Sequence, residues 1–426
     1  MNRTIKKQVP VQLSSIRNIL TLRYDPEKTT FEKKLQLRDF RPIDYGDSVP
    51  QKIEAMLRNE IRLQLGKAKN VAIPIGSGID SAVIMTLARE EFPEKNIFGI
   101  SLGFSGSQDE TAVAKRICRA IGTECHIARV KNVLLDLPLQ VNIVGEPRWN
   151  LWYYYVLEHA RKLGSDLLLT GDGGDELFGG YVFRYSKYLD LIRSKLQLPS
   201  TVSENDVIWA KRAWAYLQCH DRDWVPDQER MFGSKMSGIF DWSRILQYFK
   251  PYFDNSKIDN DLSQVFLADY NGKLIYDWIP TNAKLSKYFE TRMSSPFLSE
   301  SLIEYAPHIP VQQKYNLETQ QGKLVLRSIL ERYGILNHVG KKKLGFGMDL
   351  VNLWDSHGRA IANEYLEDAV ICQEELIDRN WLSSTLIGLE KNKDLRYINK
   401  VLQLLSLEVW YRTFVTKTMS RKTKLE

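Results

Sequence analysis

Over the first 185 residues the pattern of apolar and polar positions switches repeatedly between a helical and an extended period. Ile53–Leu65, IEAMLRNEIRLQL, carries apolar side chains at i, i+4, i+8 and i+12, which predicts an amphipathic helix that Gly66 stops. Val71–Ile75 reads as a short buried strand. Pro74, which has no ladder N–H, suits the end of that strand better than its middle. A helix over Ala82–Glu91 follows, with Asp80 or Ser81 as its cap. Ile97–Leu102 predicts a second strand, Glu110–Ile121 a helix, His126–Val130 a third strand, Leu151–Leu163 an aromatic-rich helix and Asp166–Thr170 a fourth strand. Strands alternating with helices at this spacing imply an α/β fold: a parallel sheet with helices on both faces. In such sheets ligands bind beyond the carboxyl ends of the strands. Those ends carry GSGIDS at 76–81 and GDGGDE at 171–176.

After about residue 185 the strand signals fade and the chain reads as mostly helical. The expected organisation is an extension over residues 1–45 packed on the main body, an α/β core over 46–195, and a helical part over 196–426 that completes an acceptor site. The core ends near the turn Leu198-Pro199-Ser200. No repeat or low-complexity segment is present.

Composition narrows the class only a little. The chain has 426 residues, 43% apolar and 26% charged, an ordinary globular balance. No run of eighteen apolar residues occurs, so no membrane-spanning helix is expected. The N-terminal MNRTIKKQVPVQLSS is basic without a long apolar run and does not read as a secretory signal. Cys118, Cys125, Cys219 and Cys372 are scattered, with no CxxC pair, which points to a reduced, cytoplasmic protein rather than a zinc or disulfide framework. The net charge of +7 permits nucleic-acid contact without requiring it, and nucleic acid is not an expected partner.

The two glycine-rich turns carry the candidate chemistry. A helix N-terminus offers unpaired N–H groups and the positive end of a dipole, and Gly76 and Gly78 let the backbone curl around an anion. Asp80 would repel a bare phosphate. It makes sense if Mg²⁺ lies between them, because a hard cation takes carboxylate and phosphate oxygens together. The plainer alternative is a polar strand–helix turn. In the second turn Asp172, Asp175 and Glu176 crowd at the end of a buried strand, and crowded acids need a cation, a cationic ligand or full solvation. The apolar LFGGY that follows argues for a packed turn.

Together these stretches resemble the synthetase domain of the asparagine synthetase family, with its relatives the β-lactam synthetases and lasso-peptide cyclases, in the ATP pyrophosphatase group. The family reads strand–SGGLDSS–helix and, later, SGEGxDE-[LV]-FGGY, which GDGGDELFGGY matches closely. Phe104 to Asp109-Glu110, Ala114-Lys115 and Ile121 to Glu124 resemble its second βα unit. Glu290-Thr291-Arg292 with Pro296-Phe297-Leu298 resembles E-x-R-x-P-F-L-D. Gly322-Lys323-Leu324-Val325-Leu326-Arg327 resembles K-x-x-L-R, and Lys341 to Phe346 resembles R-x-K-x-G-F. The resemblance runs over roughly residues 50–415. It implies the adenine nucleotide alpha hydrolase-like, ATP pyrophosphatase type of fold. It also implies an AMP-forming ligase that adenylates a carboxylate and passes the acyl group to ammonia or an amine, with ATP and Mg²⁺ as cofactors. No Walker-type lysine is needed, since no γ-phosphoryl group is transferred.

The resemblance also implies residue roles. Ile75, Gly76, Ser77, Gly78, Asp80, Ser81, Leu102, Thr170 and Gly171 would bind ATP, the loop glycines and serines holding the leaving pyrophosphate and Leu102 and Gly171 contacting adenosine. Asp80 and Asp175 would bind the metal. Asp172 would lie near the acyl group, Lys343 would neutralise transition-state charge, and Glu290 would accept a proton from the amine or orient it. Lys343 reads alternatively as part of a solvated basic loop, and Glu290 as an ion pair with Arg292. Lys323 and Arg327 read as phosphate or helix-surface contacts.

Several positions depart from the family pattern. The loop begins Gly76-Ser77-Gly78 in place of Ser-Gly-Gly, so Ser77 either supplies the displaced hydroxyl or crowds the phosphates. Asp172 stands where relatives carry Glu or Tyr, Ser299 replaces an Asp, and the spacing around Glu290 is altered. About 70 residues precede the loop, too few for the family's N-terminal glutaminase domain. Three functional readings follow: an ammonia-dependent asparagine synthetase fed by a separate glutaminase subunit, an amide- or lactam-forming ligase, and a non-catalytic nucleotide-binding relative. A tRNA-modifying enzyme of the same ATP group lacks a visible cysteine pair. A homodimer is an open expectation.

Overall fold

The structure is a computed structural model that describes residues 11–30, 32–43, 48–104, 110–220, 222–254, 261–340 and 348–426. Five strands form one parallel sheet: β1 (Asn70–Pro74), β2 (Asn96–Phe104), β3 (Glu124–Val130), β4 (Leu167–Leu169) and β5 (Arg292–Ser294). Their order is β3-β2-β1-β4-β5. Val71 pairs with Ile97 on one side and Leu167 on the other. Both faces are covered, as apolar runs in a parallel sheet require. Val71 and Ile73 face a core shared with Leu57 and Ile61 of the helix Val49–Leu65 and with Val83 of the helix Ile79–Glu91. Ala72 and Leu168 face a second core that holds Phe98, Ile100 and Leu157 of the helix Trp152–Lys162.

The chain leaves β1 towards β2 and β3, then returns to lay β4 on the other side of β1. The reversal opens a crevice between the carboxyl ends of β1 and β4, where parallel sheets bind ligands. Pro74 ends β1, where its missing N–H costs no ladder bond, and the N–H of Ile75 donates to Ile100 O at 2.9 Å.

Three features differ from the reading of the sequence. The helix after β1 starts at Ile79 with Gly78 at its cap, because the Asp80 carboxylate turns away to Lys323. The sheet takes its edge strand β5 from the region read as helical. Three residues carry no usable period, and β5 is defined by tertiary pairing of Met293 with Leu168. An antiparallel hairpin, β6 (Tyr315–Asn316) and β7 (Gln321–Gly322), was equally silent in the pattern. It feeds the helix Leu324–Arg332, which packs on Ile79–Glu91 and Val49–Leu65.

The described part of the N-terminal extension packs on the helical part. The helix Leu13–Leu22 lies against Leu395–Phe414, where the buried Lys400 donates to the carbonyls of Leu20 and Asp223, the latter at 2.7 Å. Among the described residues no helix is long and apolar enough to cross a membrane.

Just before β6, Lys314 is buried between the rings of Phe40 and Phe266, 5.8 and 5.6 Å from its Nζ, with no carboxylate in ion-pair reach among the described residues. Burial alone pushes its ammonium down from 10.5 to about 7. The unfolded chain therefore binds this proton more tightly than the folded one. The residue's contribution to stability is poorest below about pH 7 and improves as pH rises towards 10.5. We expect Lys314→Met to raise the melting temperature by a few degrees at about pH 6, with the gain shrinking by about pH 10. Calorimetry at the two pH values checks this, and a gain that does not change with pH would contradict it.

Candidate active site

The turn after β1 and the turn after β4 meet at the crevice and line a cavity of about 640 Å³. Glycine makes the meeting feasible. Gly173 has φ +89°, a left-handed conformation that side chains rarely adopt, and a Cβ there would lie 2.5 Å from Leu298 Cδ2. A Cβ on Gly174 would lie 2.5 Å from Asp80 Oδ1, and one on Gly171 2.8 Å from Asp80 Cβ. The second turn thus presses directly on the aspartate of the first.

Gly78 differs from these. Its φ is −84°, and a Cβ would meet nothing within 4 Å. Neither backbone strain nor packing demands a glycine here. The open space lies at the N-terminus of the helix Ile79–Glu91, where unpaired N–H groups and the helix dipole favour an anion. The residues therefore fit a phosphate chain. The loop is anchored from two sides, as Ser77 Oγ donates to Glu110 Oε1 at 2.9 Å and Ser77 O accepts from the Gly340 N–H at 2.9 Å. The Ser77 hydroxyl is thus turned to Glu110.

Asp80 and Asp175 share one counter-charge. Lys323 Nζ pairs with Asp80 Oδ2 and lies 2.5 Å from Asp175 Oδ1, with the lysine side chain 7% exposed. Burial opposes the ammonium's charge, but the Asp175 and Asp80 carboxylates outweigh it and hold its pKa above the ordinary lysine range. Arg327, one turn along the same helix, also lines the cavity and donates from Nε to Gly322 O at 2.9 Å. The donor set is two hard carboxylate oxygens facing an anion cradle, which suits Mg²⁺ carried on a phosphate chain.

The other acids of the second turn are relieved in other ways. Asp172 is buried and accepts from Tyr153 Oη at 3.0 Å, Thr170 Oγ1 at 3.0 Å and Asn282 Nδ2 at 3.2 Å. Burial pushes its carboxyl up to about 6 in spite of those donors. Glu176 is pushed up to about 8, first by burial and then by the Asp175 charge, and accepts from Tyr181 Oη at 2.5 Å. Asp172 and Asp175 line the cavity, whereas Glu176 does not.

Of the residues singled out in the sequence, Gly76, Ser77, Gly78, Asp80, Ser81, Gly171, Asp172 and Asp175 line this one cavity. Ile75, Leu102 and Thr170 are buried at strand ends and contribute no lining. Glu290 does not reach the site. It caps the helix Ile279–Phe289, ahead of β5 and thus at the amino end of a parallel strand, opposite the cavity. Its side chain is 79% exposed and pairs with Arg161 at 3.6 Å, while Arg292 donates to Gln64 O. Lys343 lies outside the described residues, as does the whole run Lys341–Lys343. Gly340, just before that run, is the residue docked on Ser77. Glu110 and Tyr153 were not assigned a site role in advance, and Lys323 was read as either a phosphate or a helix-surface contact. The K-x-x-L-R motif was the available signal for Lys323. Glu110 fell within the match to the family's second βα unit, whereas nothing local marks Tyr153.

The asparagine synthase family model matches residues 52–412. The chain is 26% identical over 378 residues to the glutamine-hydrolyzing asparagine synthetase 1 of Bacillus subtilis (strain 168), covering 80% of this chain and 56% of that protein. It is 28% identical over 170 residues to a putative glutamine-hydrolyzing asparagine synthetase 2 of Methanocaldococcus jannaschii, covering 37% of this chain and 32% of that one. The chain thus spans about half the length, or less, of these curated relatives. Among solved structures, the NH3-dependent NAD synthetase of Campylobacter jejuni aligns with 30% of this chain and 60% of its own, at 20% identity and a TM-score of 0.22.

The packing of the two turns yields a direct test. Gly180 follows the second turn, and a Cβ there would overlap Asp175 Oδ1 and Lys323 Cε. Gly180→Ala should destabilise the fold by about 1–3 kcal/mol, the usual cost of overpacking. Denaturant unfolding checks it, and unchanged stability would show that Asp175 and Lys323 need not keep this geometry.

Proposed function

Since the chain belongs to the asparagine synthase family, we propose that it is an ATP-dependent carbon–nitrogen ligase that forms AMP and pyrophosphate. A substrate carboxylate oxygen attacks the α-phosphorus of ATP, the bond to the bridging oxygen breaks, and pyrophosphate leaves with the electron pair. Ammonia or an amine then attacks the acyl carbon, loses a proton and expels AMP. The chain's own residues supply position and charge complementarity, the two terms on which such a displacement depends. The backbone of 76–78 and the start of the helix Ile79–Glu91 hold the β- and γ-phosphates. Asp80 and Asp175 would hold Mg²⁺, which would supply charge neutralisation for the departing pyrophosphate. Asp172 and Tyr153, which line the cavity, would lie nearest the reacting acyl group, with Asn282 held on Asp172.

The observation that carries this reading is the meeting of the two turns: an open anion cradle at Gly78 stands beside paired carboxylates at the switch point of a parallel sheet. A Lys-containing phosphate loop for γ-phosphoryl transfer is not present at this position.

One observation favours an amine-bearing organic acceptor over free ammonia. Glu290 lies outside the cavity, and just beyond β5 Ser295 Oγ donates to Asp172 O at 2.7 Å. The acceptor side is therefore built differently from the pattern the family motif implies. That supports an amide- or lactam-forming ligase as the second reading.

The expected result is ATP–pyrophosphate exchange with one acid from a panel of carboxylic acids, and AMP plus pyrophosphate on adding ammonium or an amine. Asp80→Asn and Asp175→Asn should each lower exchange at least about 100-fold, the loss expected when charge stabilisation worth about 3 kcal/mol is removed. ADP and orthophosphate as products, or near-normal exchange in either variant, would contradict the proposal.

A further inference from the structure

We propose that Lys323 is a built-in counter-cation of the metal site: it holds Asp80 and Asp175 together in the nucleotide-free protein and gives up that place to Mg²⁺ only when Mg-ATP enters. This rests on the reading of Asp80 and Asp175 as the metal-binding pair. Its geometric basis is independent of the chemistry that follows.

Several constraints aim this side chain inward. Lys323 is the N-cap of the helix Leu324–Arg332 and has φ 58°, the left-handed region that costs a non-glycine residue energy. Its backbone N–H is fixed to Phe178 O at 3.1 Å, on the short helix that continues the second turn. Gly322 sits so tightly on the Gly179 carbonyl that no Cβ fits, which locks the hairpin β6–β7 to the same turn. Gly180 leaves the room that Lys323 Cε fills. A lysine on a helix surface would need none of this. Here the fold spends strain and two glycines to bring one ammonium between two carboxylates.

The consequence is a discrimination between ions. With the ammonium in place, both carboxylates are paired and half of their charge is compensated. A bare Mg²⁺ would have to expel Lys323 and leave a buried cation without a partner, which is strongly unfavourable. Mg²⁺ carried on a triphosphate brings anionic oxygens with it, and the displaced ammonium moves to those oxygens at the helix N-terminus. The site therefore accepts Mg-ATP and resists free Mg²⁺.

The test uses the full chain with MgCl2 as the probe and no nucleotide. Binding is read by isothermal titration and by the shift in melting temperature. The wild type should give no measurable binding or shift at millimolar MgCl2, and Lys323→Arg should behave likewise. Lys323→Met should melt lower in metal-free buffer, regain that loss on adding MgCl2, and bind the ion at least tenfold more tightly than the wild type. Adding Asp80→Asn to Lys323→Met should abolish the response. Wild-type protein that binds Mg²⁺ alone as tightly as Lys323→Met would overturn the proposal, as would a folded Lys323→Met with no magnesium response. Should Lys323→Met fail to fold, Lys323→Gln takes its place, and tight binding by the wild type decides against the proposal by itself. The readout needs no turnover. Loss of the ligase reading would appear as absent pyrophosphate exchange with the magnesium pattern intact, and failure here would appear as the reverse.

Discussion

The contact between Asp80 and the glycine-rich turn after β4 is the constraint on which the rest of the site depends. It exists because the strand order reverses between β1 and β4, so that two turns distant in sequence end side by side. Glycines at 171, 173 and 174 let the second turn close onto the first, and Lys323 joins their carboxylates from a third element. The anion cradle at Gly78 and the carboxylate pair are thus held in a fixed relation by backbone packing rather than by flexible side chains. The backbone of the site is therefore set by packing before any ligand arrives, which is the preorganisation that electrostatic stabilisation requires.

The electrostatics of the second turn follow from the same packing. Three acids lie within five residues, yet their environments set them apart. Glu176 is buried against Tyr181, and burial with the Asp175 charge pushes its carboxyl up. Asp172 is buried among three donors and is pushed up to about 6. Asp175 lines the cavity and pairs with Lys323. One sequence motif therefore places three acids in three different environments. The division is made by burial and partners, not by residue type.

Much of this architecture was legible in the chain. The first four strands and their helices follow from apolar periodicity, and the helix Glu110–Ile121 has the bounds its pattern gives. The two turns stand out because glycine and aspartate at strand ends have few other uses. The remainder was not legible for physical reasons. β5 is three residues long and exists only because Leu168 offers it a partner. Glu290 matched a motif by type, but the spacing after it differs, and the structure puts it at the amino end of β5 with Arg161. The cap of the helix Ile79–Glu91 shifted to Gly78 because a lysine more than two hundred residues away competes for Asp80. Long-range charge pairing and short edge strands leave no local period to read.

The central claim is that the two turns receive one magnesium-bound triphosphate between them, with its α-phosphorus towards Asp172. A crystal structure of the full chain with Mg²⁺ and the α,β-methylene analogue of ATP tests this most directly. The account predicts the β- and γ-phosphates against the backbone of 76–81, the cation between them and the carboxylates of Asp80 and Asp175, and the α-phosphorus open on the Asp172 side. A triphosphate bound in the opposite sense, with its γ-phosphate towards Asp172, or a nucleotide bound away from both turns, would contradict it.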